Sequence, residues 1–436
     1  MKETQDIAFK SVDEIQQFQI TELIDTLKYV QKNSKYYHKI FQDKSIDISK
    51  ITCLNDLQKL PVTTKKDLQI HNKEFLCVSP DKIIDYVTTS GTLGEPVTFG
   101  LTEKDLQRLA YNEKLSFETA GMTSNDVMQL MTTIDRRFMA GLAYFLGARA
   151  LGCGIIRVGN GIPQLQWDTI NRVEPSVAMV VPSFLLRLID YAEKNNIDYR
   201  NSSLKKAICI GESLRNPDLS LNTLGKQINE KWPELALHST YASTEMQSSF
   251  TECSSQNGGH LPPNLIIVEF LDDHDQPVGA GELGEVTITT LGVEGMPLVR
   301  FKTGDVCYHY CEPCSCGRNS IRLSPLVGRK GQMIKYKGTT LYPPAIYDIL
   351  ETIDAIETYI VEVYTNKIGT DSIIVRIGSR NQSVAFLKEI KDIFRSKIRV
   401  APQIVFEPIE LIEKLKHPEM SRKVVKFIDL REIKTS

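Results

Sequence analysis

The chain has 436 residues, 42% of them hydrophobic and 24% charged, and its 52 basic side chains nearly balance 54 acidic ones at a formal net charge of −2. That length supports two or three domains with an ample core, and the charge balance argues against a dedicated nucleic-acid or polybasic membrane binder. No apolar run approaches the roughly 20 residues that span a bilayer, and the opening MKETQDIAFKSVDEIQQ lacks the apolar core of a secretory signal, so a cytoplasmic globular protein is expected.

Ile20, Leu23, Ile24, Leu27 and Val30 recur at helical spacing and predict one helix over 13–42, with Asp13 able to cap its start. LPVTTKKDL at 60–68 reads as a turn entering a short helix. From 103 to 220, helical stretches (103–120, 139–150, 164–173, 183–195) alternate with the apolar runs VMQLM, CGIIRV, VAMVVP and KAICIG. That alternation predicts an α/β fold: a large N-terminal domain of mostly parallel sheets layered with helices. Ligands in such sheets lie beyond the strand C-termini, which here carry Asp135–Met139, Pro182–Ser183 and Gly211–Glu212. LIIVEF, EVTITTL and PLVRF form a second β-rich stretch. Beyond GRKGQ at 328–332 the pattern becomes that of a small α+β unit, with helices expected on one face of a short sheet. The boundary falls near Lys330–Gly331, giving domains 1–329 and 330–436.

VTTSGTLGEPV at 87–97 gathers hydroxyls and glycines before Pro96. Glycine lets the backbone approach a ligand closely, and successive N–H groups can cradle an anion such as a polyphosphate. The segment is neither a Walker A loop nor a dinucleotide fingerprint, and such runs taken alone are more often solvated turns. LHSTYASTEM at 237–246 offers an aromatic, Tyr241, and a carboxylate, Glu245, four residues on. They suit base stacking and a phosphate-bound Mg²⁺, or simply a buried Tyr and a surface Glu. Asp305, on an expected tight turn ending PLVRFKTGD, could accept hydrogen bonds from a ribose diol or serve as an ordinary turn residue. VGRKGQMIKYKG is basic and glycine-rich at the domain junction, and Lys423 lies in SRKVVKFIDLR.

In this order and at these separations, TTSGTLGEP, YASTE, RFKTGD, CSCGR, GRKGQMIKYKG and RKVVKFIDLR resemble the adenylate-forming acyl-CoA synthetases, specifically the phenylacetate-CoA ligase branch. LPVTTKKDL resembles the segment that branch carries ahead of its phosphate loop. The resemblance implies a small mobile C-terminal domain and two half-reactions: a carboxylate attacks ATP to give acyl-AMP, then coenzyme A displaces AMP. It also implies residue roles. Thr89, Ser90, Gly91, Thr92 and Gly94 would hold the β- and γ-phosphates. Tyr241 would stack on adenine, with Gly211, Glu212 and Ala242 lining that pocket. Glu245 would hold Mg²⁺, and Asp305 and Arg329 would meet the ribose. Lys423 would bridge carboxylate and α-phosphate in the first step, making it, Glu245 and Thr89 the catalytic side chains. Lys330–Gly331 would be the hinge. Three positions depart from the family pattern: Glu95 replaces a lysine, Ala242 a glycine, and Gly331-Gln332 an acidic pair.

Five of the nine cysteines crowd into one third of the chain, which in a cytosolic protein suggests metal before disulfides. Cys253, His260, Cys314 and Cys316 form a plausible tetrahedral Zn²⁺ set, structural because four protein ligands leave no open position. Cys311 is a rival ligand, since Cys311-x-x-Cys314 is itself a zinc spacing.

The acid pocket is expected near Asp135–Met139, Pro182–Phe184, Ala242 and Met246–Phe250, with Arg136 and Arg137 able to pair a second polar group on the acid or to form a solvated basic turn. The expected substrates and cofactors are an aromatic carboxylic acid, ATP, Mg²⁺ and coenzyme A, with a structural Zn²⁺. Dimers are common in that branch. Transfer to a carrier-protein thiol or another acceptor, and nucleotide binding without ligase activity, are the alternatives.

Overall fold

The structure, a computed structural model, describes residues 7–89, 96–337, 339–366, 370–418 and 424–431. The chain divides into two compact units, Met1–Leu326 and Val327–Ser436.

Two helices open the N-terminal unit, where the periodicity predicts one. Helix α1 (Val12–Asn33) begins at a capping box in which the Ser11 and Glu14 side chains each accept from the other residue's backbone N–H, an arrangement worth about 1 kcal/mol. Ser34 then turns extended and accepts from the Tyr37 N–H, starting α2 (Lys35–Asp43). Its hydroxyl also donates to the Glu74 carbonyl at 3.0 Å. The break is therefore set by a distant contact that the local pattern does not carry.

Next come a short helix, α3 (Lys65–Ile70), and a hairpin of β1 (Asp85–Thr88) and β2 (Thr98–Leu101). Thr64 caps α3 reciprocally with Asp67. The main layer alternates strands and helices: β3 (Val127–Leu130), α5 (Met139–Leu151), β4 (Gly154–Arg157), α6 (Pro163–Val173), β5 (Val177–Val180), α7 (Pro182–Lys194), β6 (Lys206–Cys209), α8 (Thr223–Lys231) and β7 (Ala236–Ser243), with α4 (Glu103–Thr119) preceding them. Strands β3 to β7 pair in parallel. β5 is buried throughout, as a strand covered on both faces should be.

At Thr240, β7 changes partner. Residues 236–239 pair in parallel with β6, and 240–243 pair antiparallel with β8 (Ser248–Glu252). The sheet continues antiparallel through β9 (Gly259–His260) and, after β10 (Ile266–Leu271), β11 (Gly284–Thr290) and β12 (Phe301–Cys307), through β14 (Arg322–Leu323) and β13 (His309–Tyr310). The sheet is thus mixed, with parallel and antiparallel halves. β10, β11 and β12 pair antiparallel in a second sheet. Thr303–Asp305 lie inside β12 rather than on the tight turn expected after it. Gly304, at φ +78°, is absorbed where the β11–β12 register shifts.

Arg108 of α4 ties these layers together. Its buried guanidinium donates to the carbonyls of Leu291 (2.7 Å), Gln247 (2.6 Å) and Leu265 (2.6 Å). Burial lowers its pKa to about 10, so it stays charged at neutral pH. The Gln247 bond fixes the turn between β7 and β8.

In the C-terminal unit, strands Thr358–Thr365 and Asp371–Gly378 pair antiparallel, flanked in parallel by Phe427–Asp429 and Gln403–Phe406. Val361, Val363, Val375 and Ile377 share a core with Ile346 and Ile349 of helix Pro343–Leu350 and with Phe386, Ile390 and Phe394 of helix Val384–Ile398. Thr358, on the opposite face by strand alternation, bonds to Glu413 and Lys416 of helix Ile409–Lys416. Helices therefore cover both faces, where one face was expected.

Candidate active site

The parallel strands end on one edge. Register aligns Leu130 with Met179, Val180 with Cys209, and Cys209 with Ser239, so the segments following β3, β5, β6 and the parallel part of β7 emerge together. Gly211 turns sharply at φ +78°, and the next carboxylate, Glu212, accepts from the Ser183 N–H at 2.9 Å. That bond joins the loop after β6 to the start of α7.

Tyr241 sits one residue past the partner switch in β7. Its ring stacks on Phe250 across the hairpin, with centroids 5.7 Å apart, and its hydroxyl donates to Asp305 Oδ2 at 2.7 Å. Burial and then the Asp305 charge push the Tyr241 phenol well above its ordinary range, so it remains a donor. Ala242 is exposed beside it. Glu245 occupies the turn that Arg108 holds, and its side chain is largely shielded.

Lys65 reaches Glu245 at 3.9 Å. Thr63 makes this possible by joining the edge of β12: its N–H donates to the Arg300 carbonyl, the Lys302 N–H donates back to its carbonyl, and its hydroxyl donates to the Val299 carbonyl. The LPVTTKKDL segment thus brings a cation to the Tyr241–Glu245 region, a role the residue pattern did not single out.

Thr89 is buried. Its N–H donates to the Val97 carbonyl, and its hydroxyl accepts from the Val97 N–H at 3.1 Å. Those bonds close the base of the glycine-rich segment, while the neighbouring Thr88 N–H donates to the Arg137 carbonyl. Ser90, Gly91, Thr92, Gly94 and Glu95 lie outside the described residues, as does Lys423. Arg329 belongs to the C-terminal unit, in the extended pair Gly328–Arg329.

Of the expected acid-pocket residues, Met139, Met246 and Phe250 share one buried cluster, while Phe184 packs in another with Leu185 and Leu188. Arg136 and Arg137 are exposed and both take positive φ, at 60° and 57°.

A second constellation gathers among the described residues. The β8–β9 hairpin, in register Thr251 to His260, sets Cys253 beside His260, and a turn bends Cys314 and Cys316 toward them, with the Gly317 N–H donating to the Cys314 carbonyl. Ligand atoms of Cys253, His260, Cys314 and Cys316 all lie within 4.8 Å of one another. Cys253 and Cys314 Sγ are 3.7 Å apart, and Cys316 Sγ and His260 Nε2 are 3.5 Å apart. A tetrahedral zinc with bonds of about 2.3 Å to sulfur and about 2.0 Å to nitrogen needs ligand spacings of roughly 3.5–3.8 Å, so the four residues fit. Burial, followed by Arg318 and Arg322, lowers the His260 pKa to about 3 and keeps the imidazole neutral. Burial raises the Cys253 thiol to about 11. For Cys314, burial acts upward, but hydrogen bonds centred on Cys316 outweigh it and leave that thiol below its usual range. Cys311 is exposed and outside the cluster.

The family model described as AMP-binding enzyme matches residues 14–295. The chain belongs to the AMP-binding enzyme family. Phenylacetate-coenzyme A ligase of Thermus thermophilus is 29% identical over 329 residues, spanning 74% of this chain and 72% of its own. The Escherichia coli phenylacetate-coenzyme A ligase is 26% identical over 387 residues, spanning 87% and 86%. These relatives place this AMP-binding enzyme in the phenylacetate-CoA ligase-like branch of the adenylate-forming enzymes. A 2-hydroxyisobutyryl-CoA ligase in the postadenylation state shares the fold, with a TM-score of 0.82 over 98% of this chain and 91% of its own at 19% identity.

Proposed function

We propose that this chain is an AMP-forming ligase that activates an aromatic carboxylic acid with ATP and transfers the acyl group to coenzyme A. The observation that carries the reading is that Tyr241 meets Asp305 and that Glu245, four residues on from Tyr241, meets Lys65, pairings drawn from separate parts of the chain. The phenylacetate-coenzyme A ligases above support the acid class and the acceptor.

In the first step a carboxylate oxygen attacks the α-phosphorus, the bond to the bridging oxygen breaks, and pyrophosphate leaves. Negative charge grows on the phosphate oxygens, so fixed donors and cations dominate catalysis. Thr89 and the 90–94 segment hold the terminal phosphates. Glu245 would hold Mg²⁺, which offsets phosphate charge. Tyr241 stacks on adenine, with Gly211, Glu212 and Ala242 around it. Asp305 receives the ribose hydroxyls, with Arg329 assigned beside them. Lys423 bridges the carboxylate and the α-phosphate. Lys65 supplies a cation near Glu245 in a chain that carries Glu95 where a lysine is usual. In the second step the coenzyme A thiolate attacks the acyl carbonyl and AMP departs, after movement about Lys330–Gly331.

Cys253, His260, Cys314 and Cys316 would hold a structural zinc. About one equivalent of zinc is expected in protein purified without chelator.

The test measures AMP release with ATP, Mg²⁺ and a panel of aromatic and short aliphatic acids, each with and without coenzyme A. AMP and a thioester appearing together for aromatic acids supports the reading. Acid-dependent pyrophosphate exchange without thioester overturns the acceptor. ATP binding with no turnover on any acid overturns the ligase.

A further inference from the structure

Residues Ile7–Lys10 lie against the loop that carries two of the four cluster ligands. The Asn319 N–H donates to the Ala8 carbonyl at 2.8 Å, and its side-chain amide donates to the Lys10 carbonyl at 3.0 Å. The Arg318 guanidinium stacks over the Phe9 ring, 4.7 Å from its centroid, and donates to Cys316 Sγ at 3.5 Å. The Arg318 carbonyl in turn accepts from the Cys314 N–H. One side chain therefore touches both a ligand sulfur and a half-exposed aromatic that would otherwise face water.

A cavity of about 300 Å³ is lined by Phe9, Ser116, Thr251, His260 and Asn264. His260 is 4% exposed, and neither its Nδ1 nor Asn264 Oδ1 has a protein partner among the described residues. Buried polar atoms of this kind are ordinarily satisfied by water or a polar solute. A metal-bound imidazole also needs a partner on its second nitrogen to fix its orientation.

We propose that the Cys/His cluster is a metal-dependent clasp: the bound metal fixes the 314–319 loop, Arg318 and Asn319 of that loop hold the Ile7–Lys10 turn, and the turn closes the cavity onto which His260 backs. This rests on the reading that the cluster binds zinc. A Zn²⁺ held by three thiolates and a neutral imidazole carries net negative charge. Arg318 offsets that charge at Cys316, so it acts as a positioning residue for the metal. Without metal the four ligands lose their common centre, and the loop loses the order that presents Arg318 and Asn319. Coupling between sites is reciprocal, so loosening the turn also weakens the metal.

The test uses the full chain, zinc-loaded and zinc-stripped, with three readouts: zinc content, hydrogen exchange of the Lys10 and Asn319 amides, and tryptic cleavage after Lys10. Stripping should raise exchange at Lys10 and Asn319 by about tenfold or more while leaving β3 and β5 protected, and added zinc should reverse it. Phe9→Ala, a change at a half-exposed ring, keeps the fold testable if stripping unfolds the protein. It should weaken zinc affinity severalfold, and Arg318→Met should weaken it about tenfold, with Arg318→Lys recovering part of the loss. One equivalent of zinc with the same Lys10 and Asn319 protection before and after stripping, or unchanged zinc affinity in Phe9→Ala, overturns the clasp and leaves the zinc reading standing. Failure to take up added zinc overturns both.

Discussion

The Tyr241 hydroxyl donates to Asp305 Oδ2 at 2.7 Å, linking the residue assigned to adenine with the carboxylate assigned to ribose. A carboxylate offers about four acceptor positions, so this bond orients Asp305 and leaves room for a diol. Tyr241→Phe keeps the ring on Phe250 but removes the orienting donor. The KM for ATP should rise about 10- to 100-fold, corresponding to about 1.5–3 kcal/mol for a hydrogen bond to a charged group, with kcat changed less. Tyr241→Ala also removes the stacking surface and should cost more. Steady-state kinetics with ATP varied at saturating acid checks both. A KM for ATP unchanged in Tyr241→Phe would mean Asp305 needs no such help.

Lys65 lies 3.9 Å from Glu245. If Glu245 holds the phosphate-bound metal, the Lys65 ammonium sits where negative charge accumulates as pyrophosphate leaves. Lys65→Met should slow acid-dependent ATP–pyrophosphate exchange by about 10-fold or more. Thioester formation from supplied acyl-AMP involves no pyrophosphate and should be nearly unaffected. Equal losses in both half-reactions would assign Lys65 to folding of the Thr63 segment instead.

The parallel half of the large sheet was legible because each strand is a short apolar run separated by a helix-period stretch. The Cys253, His260, Cys314 and Cys316 set was legible from ligand chemistry and spacing. Contacts that depend on register were not. Lys65 meets Glu245 only because Thr63 joins the edge of β12. Gly304 carries the positive φ that marks a turn, yet the register shift in β11–β12 absorbs it within a strand. The division between α1 and α2 rests on Ser34 bonding to Glu74, which no local window contains.

The role proposed for Lys423 divides the half-reactions most sharply. A lysine bridging carboxylate and α-phosphate acts while ATP is attacked and has no partner once AMP is the leaving group. Lys423→Ala should lower acid-dependent pyrophosphate exchange by about 100-fold or more, while supplied acyl-AMP still reacts with coenzyme A at a near-normal rate. Unchanged ATP-dependent turnover would remove Lys423 from the mechanism.

Glu113 of α4 is 4% exposed, with Oε1 accepting from Asn112 Nδ2 at 2.9 Å and Ser249 Oγ at 2.7 Å. Burial raises its carboxyl to about 7 despite those bonds. The folded state therefore holds a proton that the unfolded chain releases near pH 4.5. Between those values the native state binds more protons, so this group's contribution makes stability fall as pH rises through that window and level off above 7. Its full size is about 3 kcal/mol at about 1.4 kcal/mol per unit. Glu113→Gln mimics the protonated form and keeps the acceptor for Asn112 and Ser249. Denaturant titration should show the variant more stable than the parent by about 3 kcal/mol at pH 8 and nearly equal at pH 4. Equal stabilities at pH 8 would mean that water reaches the carboxyl in the folded state.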